Sequence, residues 1–322
     1  MRILVTGGAG YIGSITTAHL IKAGFDVTVL DNLSKGHKES VPKEAKFIQG
    51  DIADFVFPRS DLGTIDAVMH FAAFIEVGES VTEPDKYFEN NVEKPKIFIQ
   101  NAIDAGIKYF VFSSSAAVYK NSDGPLLETD PLEARSPYGE TKIQVERILE
   151  SYHKKNQLNV CILRYFNAAG SSKIDGVLRG EKHEPETHLI PSILETALGK
   201  REKIEIFGED YPTPDGTNIR NYVHVDDLAE AHVLALDALL RGKINFEIYN
   251  VGNQKGCSNA EVLKTAEEVV GKKIKALYAK RREGDPAILL ANSNKIKRDL
   301  GWTPKYPDLK TIVESAWAER TK

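Results

Sequence analysis

Along the first half of the chain, short runs of apolar and β-branched residues alternate with longer stretches whose apolar positions recur every three or four residues. The runs Ile3–Thr6, Val27–Leu30, Lys46–Gln49, Ala67–Phe71, Tyr109–Ser113 and Val160–Tyr165 predict strands, and Tyr11–Ala23, Pro84–Ala105 and Pro137–Lys155 predict helices. Strands joined by crossover helices form a parallel sheet with both faces covered, so the pattern predicts an α/β fold. Ser136 and Pro137 mark a helix start, because the hydroxyl can cap an orphan amide and proline's missing N–H costs nothing in the first turn.

After Tyr165 the pattern changes. Residues 167–221 are rich in Gly, Pro, Asp and Thr, which predicts long ordered loops around one helix near 190–199. Loops of that length usually carry function. A strand Tyr222–Val225, a helix Asp226–Leu240 and a strand Phe246–Asn250 predict a return to the first unit. Helices near 258–270 and 308–319 would complete a smaller second one. The expected domains are therefore 1–166 plus about 222–250, and 167–221 plus 251–322.

Composition narrows the function classes. The 322 residues are 42% hydrophobic and 27% charged, enough to bury a core and to exclude wholesale disorder. A net charge of −4 lacks the basic excess of a dedicated nucleic-acid binder. No apolar run approaches the ~18 residues that span a bilayer, and Ile3-Leu4-Val5 is too short for a signal-peptide core, so no membrane association and a cytoplasmic location are expected. Cys161 and Cys257 lie far apart without partners at metal-ligand spacing, which predicts two buried thiols, no disulfide and no metal.

The first predicted strand runs into Thr6-Gly7-Gly8-Ala9-Gly10-Tyr11-Ile12-Gly13 and then a helix. Glycine lets such a turn reverse tightly and lets the backbone approach a pyrophosphate at the helix N-terminus, which is the Rossmann dinucleotide arrangement. Asp31 ends the second strand, where a carboxylate can accept from adenosine ribose hydroxyls and repel a 2′-phosphate, favouring NAD over NADP. Lys35 and Lys38 would soften that repulsion. Asp51 serves equally as an adenine contact or a helix N-cap.

Tyr138 and Lys142 stand four apart on a predicted helix and share a face. An ammonium beside a phenol favours phenolate, so Tyr138 is expected to titrate below its ordinary value near 10 and to take a proton from a hydroxyl as hydride leaves the same carbon. Ser115, in the run Ser113-Ser114-Ser115 ending the fifth strand, can reach the reacting oxygen. Tyr306 and Lys310 repeat the spacing, but no serine strand or glycine-rich turn leads to them, and surface structure is expected there. His224, between Val223 and Val225, reads as a structural histidine.

The glycine-rich turn, Asp31-Asn32, His70-Phe71-Ala72-Ala73, the serine run and Pro137-Tyr138-Gly139-Glu140-Thr141-Lys142 resemble the extended short-chain dehydrogenase/reductase family. Within it, Val77-Gly78-Glu79-Ser80, the segments Arg164–Gly170 and Glu186–Pro191, and Asp215–Val225 look like the branch that epimerises UDP-hexoses at C4. The resemblance spans nearly the whole chain. One departure is Ile75, where some of these enzymes have a lysine near the diphosphate.

The resemblance implies a Rossmann-type doubly wound parallel sheet with a smaller mixed α/β substrate-binding domain, tightly held NAD and a homodimer built from Pro84–Ala105 and Pro137–Lys155. It implies catalysis by Ser115, Tyr138 and Lys142, through transient oxidation of the sugar to a 4-keto intermediate. Gly7, Gly10, Tyr11, Ile12, Gly13, Asp31, Asn32, Asp51, Ile52, Phe71, Ala72, Ala73, Asn90, Tyr138, Lys142 and Tyr165 would hold the cofactor. Ser115, Tyr138, Asn167, His188, Leu189, Phe207, Arg220, Arg282, Asp285 and Leu289 would hold the UDP-sugar. A leucine at 289, where a tyrosine excludes a 2-acetamido group, implies room for N-acetylated sugars. A dehydratase would need an acid and a base where this chain has Ala116 and Ala117. A non-catalytic NAD(H)-sensing regulator would have no need to keep Ser115, Tyr138 and Lys142 together.

Overall fold

The computed structural model describes residues 1–57, 63–122, 124–253, 255–282 and 285–322. Among these residues, seven parallel strands form the main sheet, in the spatial order Phe246–Val251, Asn159–Tyr165, Tyr109–Ser115, Ala67–His70, Arg2–Thr6, Asp26–Asp31, Lys46–Gln49. The order reverses at Arg2–Thr6, and in open α/β sheets the crevice beyond the strand ends at such a point receives ligands.

The inner strands are largely apolar because both faces are covered. Successive side chains point to opposite sides. Ile3, Val5, Val27, Val29, Met69, Val111 and Leu163 pack on one side with Leu20, Leu228 and Leu236, whereas Leu4, Leu30, Val68, Phe110, Phe112 and Ile162 pack on the other with Phe98, Val145 and Leu149. Truncating one of these fully buried Leu or Phe side chains to Ala would cost roughly 2–5 kcal/mol.

Three elements differ from expectation. Pro84–Ala105 is an α-helix Pro84–Phe88, a π-helical turn Glu89–Glu93 and an α-helix Lys94–Asp104. Inside the widened turn, the Asn91 side chain accepts from Phe74 N and donates to Phe74 O, both at 2.9 Å, a tertiary contact that hydrophobic spacing does not show. The second difference is the strand predicted at Tyr222–Val225. It spans Ile219–His224 and belongs to the second sheet, pairing with Asn167–Ala169, Gly256–Ser258 and Ile288–Ala291. Only the helix Val225–Leu240 and the strand Phe246–Val251 rejoin the first unit, because the chain turns at His224, whose ring accepts from Asp226 N and caps the helix. Third, 167–221 holds short strands as well as loops: Asn167–Ala169, Ser172–Ile174, Val177–Arg179 and Ile204–Phe207, around the helix Leu189–Ala197.

The smaller unit has its own core. Ile193 and Leu194 meet Val262 and Ala266 of the helix Asn259–Val270 and Ile312 and Val313 of Leu309–Arg320. Both thiols are free, Cys161 fully buried and Cys257 half-buried. Among the described residues no helix is long and apolar enough to cross a membrane.

Candidate active site

The carboxyl ends of the main strands and the smaller unit enclose a cavity of about 1390 Å³, and every catalytic, cofactor and substrate residue expected from the sequence lines it. At its floor, Gly7 has φ +70°, and a Cβ there would sit 2.5 Å from Ala72 N, so the turn needs glycine to pass beneath Phe71–Ala73. Gly10 is the N-cap of the helix Tyr11–Lys22, with no side-chain cap and no acidic residue in the first turn. The amides of Tyr11, Ile12 and Gly13 thus begin a helix whose positive end suits a diphosphate. Tyr11 also donates to Gly170 O at 2.7 Å, joining this turn to the smaller unit.

Asp31 accepts from Ala9 N at 2.9 Å and Leu33 N at 2.8 Å. Burial holds its carboxyl above the usual carboxylate range against those two amides. A carboxylate has about four acceptor sites, so ribose hydroxyls can still be received. Asp51 caps the turn Ile52–Asp54 through Ala53 N while also accepting from Asn32 and Lys94, so the cap is real and the residue still faces the cavity. Asn90 reaches the cavity from the π-helical turn.

Ser115 ends its strand, and Tyr138 and Lys142 lie on the helix Pro137–Lys154, started by Pro137 and by Ser136, which accepts from Gly139 N. A Cβ on Gly139 would lie 2.4 Å from Ala117 O, so glycine allows the helix to close on the serine strand. Ser115 hydrogen-bonds Tyr138, and Lys142 Nζ donates to Ser113 O at 2.8 Å, 5.8 Å from the Tyr138 ring centre. Tyr165 and Ser113 are hydrogen-bonded through their hydroxyls beside them.

Tyr138 does not titrate as the helix spacing suggests. Burial pushes its phenol up to about 12, outweighing the Ser115 hydrogen bond, and burial lowers Lys142 to about 8. Helical spacing places the two on one face but carries no information about desolvation.

Behind the site, Arg164 makes two bonds to Glu146, at 3.0 and 2.6 Å, Ser114 donates to the same carboxylate, and Arg164 donates to Tyr119, which donates to Asn250. This buried network ties three strands to the helix that carries Tyr138. Removing one partner of such a pair costs roughly 3–5 kcal/mol.

The opposite wall is different. Phe207 ends the strand Ile204–Phe207 with the Arg282 guanidinium 3.9 Å from its ring centre. Arg220 pairs with Asp285 at 2.5 Å, and Asn218 donates to the other Asp285 oxygen. Leu289 stands beside Arg220 in parallel register, Asn167 donates to Asn221 O, and His188 precedes the helix Leu189–Ala197 as its N-cap. Two arginines, an aromatic face and a carboxylate suit a nucleoside diphosphate.

The model of the NAD dependent epimerase/dehydratase family matches residues 3–252. The chain belongs to that family. It is 47% identical over 320 residues to the UDP-glucose 4-epimerase of Lacticaseibacillus casei, covering 98% of this chain and 96% of that relative. A crystal structure of a UDP-glucose 4-epimerase matches at TM-score 0.94 and 44% identity, covering 99% of this chain and 97% of that one. The Brucella ovis UDP-glucose 4-epimerase in complex with NAD matches at TM-score 0.93 and 40% identity, covering 98% and 97%.

For a member of the epimerase/dehydratase family, the turn, the Asp31 carboxylate and the uncapped helix fit NAD. His224 and the Tyr306–Lys310 pair do not line the cavity; His224 bonds Ser315, and Tyr306 is exposed. Sequence reasoning placed Lys35 only beside Asp31, whereas its Nζ is 3.5 Å from the buried Glu76 at the cavity edge, and it missed Glu181, His183 and Glu186, which share a wall with His188. The signal for the last group is the spacing Glu-x-His-x-x-Glu-x-His over 181–188, which contains no cysteine.

Proposed function

We propose that this chain epimerises a UDP-hexose at C4, interconverting UDP-galactose and UDP-glucose through a 4-keto sugar nucleotide, with NAD resident in the cavity. The observation that carries this is the meeting of Ser115, Tyr138 and Lys142 on one cavity wall, between the glycine-rich turn and the Arg220, Arg282 and Phe207 cluster. Bound NAD supplies a hydride acceptor that becomes the donor within the same cycle.

Tyr138 takes the proton of the sugar 4-hydroxyl and returns it after the keto sugar has turned over about its diphosphate linkage. Ser115 holds the same oxygen. Lys142 would hold the nicotinamide ribose and, as the cation on the tyrosine's helix face, would favour phenolate against the opposing effect of burial. Asn167, His188 and Leu189 line the nucleotide path, Phe207 packs on the uracil, Arg220 and Arg282 take the diphosphate and Asp285 accepts ribose hydroxyls. In this reading residues 1–166 with the helix Val225–Leu240 and strand Phe246–Val251 bind NAD, and the remainder binds the sugar nucleotide. Leu289 leaves room for a 2-acetamido group.

We place the enzyme in the cytoplasm as a homodimer. Phe88 and Ile97, 39% and 49% exposed on the helices beside Pro137–Lys154, support a four-helix contact across a two-fold axis. The test is incubation with UDP-galactose and no added cofactor. UDP-glucose is expected; no conversion by protein shown to contain NAD would overturn the reading.

A further inference from the structure

Glu181, His183, Glu186 and His188 each offer one donor atom within 4.8 Å of the others. Glu181 Oε1 is 3.1 Å from His183 Nδ1 and 2.9 Å from His188 Nδ1, and Glu186 Oε1 is 3.1 Å from His188 Nδ1. Zinc takes N and O donors at about 2.0–2.2 Å in a tetrahedron, whose edges are then about 3.3–3.6 Å. The three close pairs lie within a few tenths of an ångström of such an edge, and the widest pair, within 4.8 Å, would have to draw in by about an ångström to share one ion. We propose that the four form a divalent transition-metal site on the cavity wall, best matched to Zn2+.

A second observation points the same way. Glu181 and Glu186 are each 5% exposed, and Oε2 of both, together with His183 Nδ1, is buried without a hydrogen-bond partner. His183 Nδ1 lies close to Glu181 Oε1 yet off a hydrogen-bonding direction. A buried donor left unpaired in this way is open to a ligand. Two buried carboxylates also need compensating positive charge. Arg320, 3.8 Å from Glu186 Oε2, supplies one cation and the proton that both carboxylates hold on His188 supplies another; a divalent ion would take that proton's place.

The support around the donors suits a metal. Glu186 Oε1 accepts from Thr187 N and His188 N, both at 2.9 Å, and so is fixed in orientation before any ion arrives. Two imidazoles with two carboxylates favour zinc and neighbouring transition metals over Mg2+ or Ca2+, which prefer oxygen donors alone. Coordination through His188 Nδ1 leaves a hydrogen on Nε2, so the ring remains a donor toward the cavity. The ion would pin the segment 181–188 that leads into the helix Leu189–Ala197.

The test uses the untagged holoenzyme, treated with chelator, dialysed and titrated calorimetrically with Zn2+ alone, with Co2+ absorption spectra in parallel. One Zn2+ per chain, a visible Co2+ band of four-coordinate N/O type and at least tenfold weaker uptake by Glu181→Gln and by His183→Ala are expected. Uptake by the parent no greater than by His183→Ala, or equal in all three chains, would overturn the site. Should a variant fold poorly, the parent alone decides: its Tm must rise on adding Zn2+ after chelation, and an unmoved Tm refutes the proposal.

Discussion

Ser115, Tyr138 and Lys142 stand on one strand end and one long helix, whereas Phe207, Arg220, Arg282 and Asp285 stand on short strands and the loop before Ile288. The first wall is held from behind by the Arg164–Glu146 network, and its tyrosine and lysine are buried with no charged side chain as hydrogen-bond partner. Residues of the second wall satisfy one another: Arg220 binds Asp285, and Arg282 covers Phe207. Under the proposed function, the groups that would move protons are thus preset, at a cost in solvation. The groups that would recognise the nucleotide satisfy one another and would exchange partners with a ligand.

The largest effect expected from breaking this contrast is at Tyr138. Tyr138→Phe keeps the ring and removes the proton acceptor, so kcat on UDP-galactose should fall roughly 10²–10⁴-fold with KM nearly unchanged. A comparable rise in KM would place Tyr138 with the recognition wall instead.

Leu289→Tyr should lower the relative kcat/KM for N-acetylated UDP-sugars by about 10–200-fold or more, read from paired kinetics on plain and acetylated substrates. An unchanged ratio would remove Leu289 from the sugar pocket. Asp285→Ala frees Arg220 and deletes a hydroxyl acceptor; KM should rise roughly 10- to 100-fold with kcat within about threefold, the mirror image of Tyr138→Phe. A fall in kcat alone would erase the division between the walls.

The smallest effect is on stability. Burial lowers Lys142 to about 8 from an ordinary value near 10.5, so between those limits the unfolded chain binds more protons and stability rises with pH. Below pH 8 the penalty is fully present. Lys142→Met should therefore raise the Tm of the dinucleotide-free chain by roughly 2–5 °C at pH 7, and the gain should shrink toward pH 10.5. A lower Tm at pH 7 in calorimetry would mean that the bond to Ser113 O outweighs desolvation.

Much of the site was legible because its signals are local. A strand followed by Gly7 and Gly10, and Tyr138 four residues before Lys142, follow from backbone geometry within one or two turns. The expected residues of the second wall came from family resemblance, and all of them line the cavity. Their pairing with one another was not legible, since Arg220 and Asp285 meet only when the strand Ile219–His224 and the chain before Ile288–Ala291 lie side by side. The π-helical turn at Glu89–Glu93 was hidden for the same reason: Asn91 bonds a backbone seventeen residues away.

By itself, then, the sequence determined the alternation of strands and helices, the helix start at Ser136 and Pro137, the glycine-rich turn and the shared face of Tyr138 and Lys142. Each depends on neighbours within a few residues, where torsion preference and periodicity act. Tertiary structure alone decided that Ile219–His224 joins the second sheet and that Tyr138 is driven up and Lys142 down. Those outcomes depend on which distant surfaces pair with a strand or exclude water from a given atom, and no local pattern of residues encodes them.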